Sequence, residues 1–475
     1  MAEILTPDIC VIGGGSGGLT TAAAAAAFGV PVVLVERGLM GGDCLNYGCV
    51  PSKALLAAGK HAAAIRAAPL FGVSAGEPTV DFAAVKAHVD GVIGAIAPND
   101  SVERFEGLGV RVIKADAQFI DPNTVNAGGQ LIRARRFVVA AGSSPLVPPI
   151  DGLAETPHLT NETIFSLTER PNHLLVIGGG PIGMEMAQAH RRLGARVTVV
   201  EGETALGNDD PELAAVVLSR LRAEGVVVEE HTKVVGVDGD EGTVRLTVER
   251  KNGEKATIEG SHLLVAVGRA VNVEGLGLDA AGIDYDRRGI KVGADLRSSN
   301  RRVYAVGDIA GGPQFTHVAN YHAGLVIRAI LFRLPIKADH DKLPHVTFTD
   351  PELGQVGLTE AQATSRGLNV DVLRWPFEEN DRAQTERRTQ GLVKLVAGRG
   401  GRLLGAGVVG AEAGELTNLF SLAIGRGLKI SDLRDFISPY PTFSEIGKRA
   451  ATSYYHPYTR RPLVRRAIGF LSRFG

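Results

Sequence analysis

Cysteine is scarce: three in 475 residues are too few for a disulfide framework in a chain of this size. Aromatic residues make up only 5%, while hydrophobic residues reach 44% and glycine occurs 60 times. That balance describes an Ala/Val/Gly-rich α/β protein whose tight glycine turns join strands to helices. Charge of one sign is missing too, since 51 Lys and Arg face 52 Asp and Glu. No global field therefore draws the chain to nucleic acid or to an anionic surface, and any charged partner has to be met locally. No apolar run is long enough to span a bilayer, and the stretch Met1 to Asp8 carries acid where a secretory signal carries base. The expected compartment is the cytoplasm. The length predicts about three domains.

What is present begins with an internal repeat. The apolar run Ile9-Cys10-Val11-Ile12 enters Gly13-Gly14-Gly15-Ser16-Gly17-Gly18, an alanine-rich helix follows, and the strand Val32 to Val35 ends at Glu36. The same order returns as Leu174 to Ile177, then Gly178-Gly179-Gly180-Pro181-Ile182-Gly183, a helix through Arg192, and Val197 to Val200 ending at Glu201. Gly13 lies 23 positions before Glu36, and Gly178 lies 23 before Glu201. A lone glycine motif is weak, because such turns also occur for purely structural reasons. Strand, glycines, helix, strand and acid together make a dinucleotide-binding pattern. Gly13 and Gly178 permit the tight turn, Gly15 and Gly180 let a pyrophosphate approach the backbone, and Gly18 and Gly183 let helix pack on sheet. The phosphates would meet the unpaired N–H groups of a helix N-terminus, and Glu36 and Glu201 would accept hydrogen bonds from ribose hydroxyls.

Two such sites in one chain suggest a flavin and a nicotinamide. Val138-Val139-Ala140-Ala141-Gly142 and Leu263 to Arg269 read as strands returning the chain between the two domains. Val303-Tyr304-Ala305-Val306-Gly307-Asp308 places Asp308 just after a glycine at a sheet edge, where it either holds a ribityl hydroxyl or phosphate or caps the next helix. From Pro344 onward, β-like runs precede helical segments with no nucleotide motif, which predicts an α+β interface domain. Domains are expected at 1–150 (FAD, first part), 151–270 (NAD), 271–343 (completing the FAD domain) and 344–459 (dimerisation), with a basic amphipathic tail at 460–475. In that tail Leu463, Ala467, Leu471 and Phe474 share one helical stripe. Docking on the enzyme's own surface is the expectation, with weak contact to a membrane surface as the alternative.

Cys44-Leu45-Asn46-Tyr47-Gly48-Cys49 carries the redox chemistry. Four residues separate the thiols, too many for C-x-x-C yet few enough to close a disulfide if the turn is right. Zinc is a poor alternative and no metal site is expected, because no nearby His or Cys supplies further ligands. Cys10, in an apolar strand, reads as a core residue.

The segment Gly41 to Lys53 resembles the redox-disulfide signature of the class I pyridine nucleotide-disulfide oxidoreductases, the family of dihydrolipoamide dehydrogenase, glutathione reductase and mercuric reductase. The likeness runs through both glycine motifs, the Ala140-Ala141-Gly142-Ser143 strand, the Val303 to Asp308 motif and a C-terminal Pro441-Thr442-x-x-Glu445. It implies two Rossmann-like domains plus a C-terminal α+β dimerisation domain, an obligate homodimer, and FAD with a reduced nicotinamide. It further implies that Cys49 is the thiol nearest the flavin, that Cys44 exchanges with the acceptor, and that Lys53 and Glu185 form an ion pair near flavin N5. A cation there stabilises negative charge on the reduced ring.

Two departures narrow the expected activity. Tyr440 stands where lipoamide and glutathione enzymes carry the His that Glu445 orients, and a phenol with a pKa of about 10 is a poor base at neutral pH. Tyr440 is similar to the tyrosine of mercuric reductase, yet no cysteine follows Cys49 to deliver mercury. Glu201 disfavours a 2′-phosphate, so NADH is expected over NADPH. The reading is an NADH-dependent reductase passing electrons through Cys44 and Cys49 to a small acceptor, whether disulfide, metal ion or quinone-like oxidant. Its rivals are a dihydrolipoamide dehydrogenase with a substitute base, a mercuric reductase-like metal reductase, and a membrane- or partner-docked flavoprotein sensing nucleotide redox state.

Overall fold

The computed structural model describes residues 4–474. The chain forms two compact units: one from the segments ending at Gly179, Ala189–Gly202 and His231–His340, the other from Gly180–Gln188, Glu203–Glu230 and the segment from Asp341 onward.

The first unit is organised around a five-stranded sheet in the order Val303–Ala305, Arg136–Val139, Ile9–Ile12, Val32–Glu36, Val110–Lys114. Every pairing is parallel. A parallel sheet buried on both faces needs apolar residues at every position, and the strand Ile9–Ile12 supplies them. Cys10 and Ile12 pack into one core with Val33, Val35, Phe137 and Val139, while Ile9 and Val11 pack into another with Val32, Leu34 and Val138. Cys10 is fully buried, burial pushes its thiol up to about 12, and it fills space in the core. From Ile9–Ile12 the chain first builds outward to one side and later returns to the other, which makes the end of this strand the topological switch point where ligands bind in such sheets.

The second glycine motif repeats the first in space. The strand His173–Ile177 lies between Arg196–Val200 and His262–Val265, both parallel to it. Gly13 takes φ +109° and Gly178 φ +110°, and a Cβ at either would lie 2.4 Å from a carbonyl oxygen, that of Ala140 or Ala266. The Gly13 amide donates to Val35 at 2.8 Å and the Gly178 amide to Val200 at 2.9 Å. Only glycine satisfies both the left-handed backbone and the missing space. An antiparallel three-stranded sheet, Thr232–Asp240, Thr243–Arg250 and Lys255–Gly260, follows in the chain.

The second unit carries a five-stranded antiparallel sheet ordered His345–Thr347, Glu352–Gly357, Leu403–Gly410, Leu392–Ala397, Asp371–Pro376. Helices Ala413–Gly425, Ile430–Asp435 and Glu445–Ser453 close its core through Leu416, Phe420, Leu433, Ile446 and Ala450. The C-terminal segment corrects one expectation. Its helix, Pro462–Leu471, does form, but the chain's own surface does not cover it: Leu463 is 78% exposed, Leu471 65% and Phe474, beyond the helix end, 73%. Among the described residues no helix is long and apolar enough to cross a membrane.

Candidate active site

The first glycine turn is shaped for a dinucleotide. Gly18 is packed so tightly that a Cβ there would fall 1.8 Å from the Gly13 carbonyl oxygen, which seats the helix Ser16–Ala27 on the strand. At Gly15 the outlook is open, for a Cβ would meet only Gly42 Cα at 3.8 Å. Gly15 is also the helix N-cap, and no side chain caps it. Uncapped N–H groups beside a bare glycine are what a pyrophosphate requires. Glu36 accepts from the amides of Gly14 and Gly38, each at 2.5 Å, which fixes its carboxylate at the strand end. Glu201 matches it, accepting from Gly179 at 2.6 Å. At Gly180 a Cβ would meet nothing within 4 Å among the described residues, so this backbone too is open to approach.

Asp308 lies in a short 3-10 turn, Gly307–Ala310, directly after the edge strand. Burial raises its carboxyl above the usual range, against the lowering effects of the Ser143 hydroxyl and the Arg269 charge. Ser143 donates to Asp308 at 2.5 Å, while Arg269 holds Ser143 through its hydroxyl and its carbonyl, each at 2.7 Å. Gly142, at φ +66°, turns the chain just before Ser143. Arg269 also reaches Asp43 at 3.1 Å, with its side chain only 11% exposed. One guanidinium thus connects the Asp308 turn to the redox segment. The flavin motif and the cysteine motif are consequently fixed to each other.

The cysteines sit on two helices separated by a tight turn. Cys44 lies in Gly42–Asn46, and Cys49 opens the 19-residue helix Cys49–Ala67. Asn46 donates to the carbonyls of Met40 and Gly42, and Asn161 donates to Asp43 and to the Tyr47 carbonyl, so the turn is held from both sides. A Cβ at Gly48 would meet the Asp43 carboxylate at 2.9 Å, which explains glycine between the thiols. The two cysteine side chains lie beside each other. The Cys44 thiol is the main cause that lowers Cys49 to about 6, helped by the Thr316 hydroxyl and the Lys53 charge and opposed by burial and Asp43. Cys44 is shifted upward, chiefly by the same contact. The position of Cys49 at a helix N-terminus favours negative charge independently. Of the pair, the surroundings favour negative charge on Cys49 and the proton on Cys44.

Thr316 and Arg269 were not legible as site residues. Thr316 begins the helix Thr316–Phe332, whose Ala319 packs against the helix Ser16–Ala27: a Cβ added at Gly17 would lie 3.3 Å from Ala319 Cβ. That close approach delivers the Thr316 hydroxyl to 3.4 Å from the Cys49 sulfur. Nothing local in the sequence announces it. Arg269 had a faint signal, as an arginine at the end of an apolar strand, but its partners were invisible.

Lys53 lies one turn into the cysteine helix and donates to Ser52 at 3.3 Å. Glu185 is buried in the second unit, on the helix Pro181–Arg192 that also carries Gly183, and accepts from the Phe348 amide at 2.9 Å. Tyr440 is 69% exposed and donates to Asp381 at 3.0 Å. That bond and the Asp381 charge raise its pKa further above the ordinary phenol value, with Glu445 adding to the effect. Glu445 itself begins the helix Glu445–Ser453.

Two dinucleotide turns, a close pair of cysteines and a half-buried acid at a strand end in one α/β chain define a flavin-dependent pyridine nucleotide oxidoreductase. The sequence belongs to the pyridine nucleotide-disulphide oxidoreductase family, which it matches over residues 7–323, and residues 343–451 match that family's dimerisation domain. It is similar to mercuric reductase of Streptomyces lividans, 38% identical over 455 residues, which cover 94% of this chain and 96% of that one. It is also similar to dihydrolipoyl dehydrogenase of Geobacillus stearothermophilus, 35% identical over 89% of this chain and 91% of the relative. Among solved structures, LpdA from Mycobacterium tuberculosis superposes with a TM-score of 0.86 at 26% identity, covering 95% of this chain and 99% of that one. The Cu(II) complex of the HOCl-induced flavoprotein disulfide reductase RclA from Escherichia coli gives 0.84 at 27%, covering 94% and 99%.

Proposed function

We propose that the enzyme works as a homodimer, takes two electrons from NADH, stores them on the Cys44–Cys49 pair, and releases them to a small acceptor that needs no deprotonation by the protein. The observation that carries this reading is the setting of the pair: Cys49 opens a helix and has the Thr316 hydroxyl 3.4 Å from its sulfur, and these neighbours favour negative charge on Cys49 and the proton on Cys44. Hydride addition to a disulfide yields one thiolate and one thiol, and these are the forms the surroundings favour. Bound FAD supplies the two-electron relay between nicotinamide and disulfide.

The chain's own residues divide the remaining work. Gly13, Gly15 and Gly18 seat the flavin phosphates, and Glu36 and Asp308 hold its hydroxyls. Gly178, Gly180 and Gly183 do the same for the nicotinamide dinucleotide, with Glu201 on the ribose. Thr316 and the Lys53 cation hold negative charge on Cys49. Cys44, the protonated thiol, meets the acceptor. As the acceptor takes two electrons the disulfide re-forms and one proton leaves. Segments 1–150 and 271–343 are assigned to flavin, 151–270 to NADH, and 344–459 to the subunit contact.

Tyr440 favours a metal ion, quinone-like oxidant or activated disulfide over dihydrolipoamide as the partner. Its hydroxyl donates to Asp381 and its pKa is raised, so it cannot serve as a base at pH 7. The metal-reductase reading gains from the names borne by mercuric reductase and by the RclA Cu(II) complex. Steady-state assays of the holoenzyme with NADH and NADPH against Hg²⁺, Cu²⁺, quinones, lipoamide and oxidised glutathione test the proposal. NADH-driven turnover with a metal or quinone, lost in Cys44→Ser, is expected. Turnover fastest with dihydrolipoamide at pH 7 would overturn it.

A further inference from the structure

The C-terminal helix has a use that the redox chemistry does not absorb. Within Pro462–Leu471 the side chains of Leu463, Val464, Ala467, Ile468, Phe470 and Leu471 occupy a face spanning about 160° of the helix circumference. Arg465 and Arg466 fall on the remainder. The apolar face is uncovered: besides Leu463 and Leu471, Ile468 is 60% exposed and Phe470 57%. Arg460, Arg461 and Arg473 flank it, and no acidic residue follows Glu445. The segment is thus strongly cationic in a chain whose net charge is only −1.

A helix with an apolar half and a cationic half matches a surface that is apolar below and anionic above. Nucleic acid would satisfy the arginines but leave the leucines and Phe470 in water. A subunit contact would bury the apolar face but does not account for the uncompensated charge, and the family's dimerisation region ends at 451, ahead of this helix. We infer that Pro462–Leu471 lies in the headgroup layer of an anionic lipid bilayer, apolar face inward, and holds the enzyme at the membrane surface. This is independent of which acceptor the cysteines reduce.

Flotation of the full-length holoenzyme with vesicles tests it. Vesicles of phosphatidylcholine containing roughly one-third phosphatidylglycerol should carry the enzyme up at low salt, and pure phosphatidylcholine should not. Raising the salt should weaken recovery by screening. Leu463→Gln with Leu471→Gln, and separately Arg465→Gln with Arg466→Gln, should each reduce recovery by about tenfold or more. These positions are exposed, so NADH oxidation and thermal unfolding should not change. The inference is overturned if the wild type fails to float, if it floats equally with neutral vesicles, or if the variants float as well as wild type. It is equally overturned if the variants change the dimer size on a sizing column, since the helix would then belong to a subunit contact.

Discussion

The Thr316 hydroxyl lies 3.4 Å from the sulfur of Cys49, although 267 positions separate the two residues. The contact marks where the helix Thr316–Phe332 meets the helix Cys49–Ala67, and it favours negative charge on Cys49. Neither motif alone contains it.

Thr316→Val should therefore raise the Cys49 pKa. A hydrogen bond to a charged group contributes about 1.5–3 kcal/mol, equivalent to a shift of about one to two pH units. In the reduced wild type, alkylation of Cys49 should rise as pH passes through about 6, because the group is reactive only when deprotonated and its pKa is depressed. The midpoint should move to higher pH in Thr316→Val and stay near the wild-type position in Thr316→Ser. Identical alkylation profiles for all three proteins would remove Thr316 from the site.

Gly15 and Gly18 should fail differently. Gly18→Ala forces a Cβ to 1.8 Å from the Gly13 carbonyl oxygen, so the turn must shift and stability should fall by about 1–3 kcal/mol or more. Gly15→Ala meets only Gly42 Cα at 3.8 Å, so the apoprotein should fold while FAD is retained poorly. Thermal unfolding of the apoproteins separates these effects from flavin content, read by absorbance. Full FAD retention in Gly15→Ala would displace the phosphates from that turn.

Glu201, fixed by the Gly179 amide at 2.6 Å, should discriminate against a 2′-phosphate. Wild-type kcat/KM should favour NADH, and Glu201→Ala combined with an arginine at Glu203 should shift the ratio toward NADPH. The proposal fails if wild type already prefers NADPH.

Tyr440→His should raise dihydrolipoamide turnover at pH 7 by roughly 10²-fold or more if the imidazole is well placed. Wild-type turnover should instead climb with pH as the substrate supplies its own thiolate. Asp381 now accepts from Tyr440, and the resemblance gives Glu445 the role of orienting an imidazole there. Rapid wild-type turnover at neutral pH, unchanged by the substitution, would show that another group is the base.

Features whose information is local are legible in the chain alone. A glycine turn followed by a helix is set by φ and by the space around each Cα, so Gly13 and Gly178, 165 positions apart, adopt the same φ to within a degree. The cysteine spacing, the apolar parallel strands and the place of Cys10 in the core follow from short-range pattern as well. The resemblance already marks Cys49 as the flavin-side thiol, but the surroundings that favour negative charge there come from the packing of distant segments. They depend on Thr316 and Lys53 arriving beside one sulfur, and on Arg269 tying Asp43 to the Ser143–Asp308 turn. Such polar contacts bridge segments far apart in the chain and leave no periodicity behind. The exposed C-terminal helix was likewise readable as amphipathic, but whether its apolar face was covered depended on the packing of the rest of the chain.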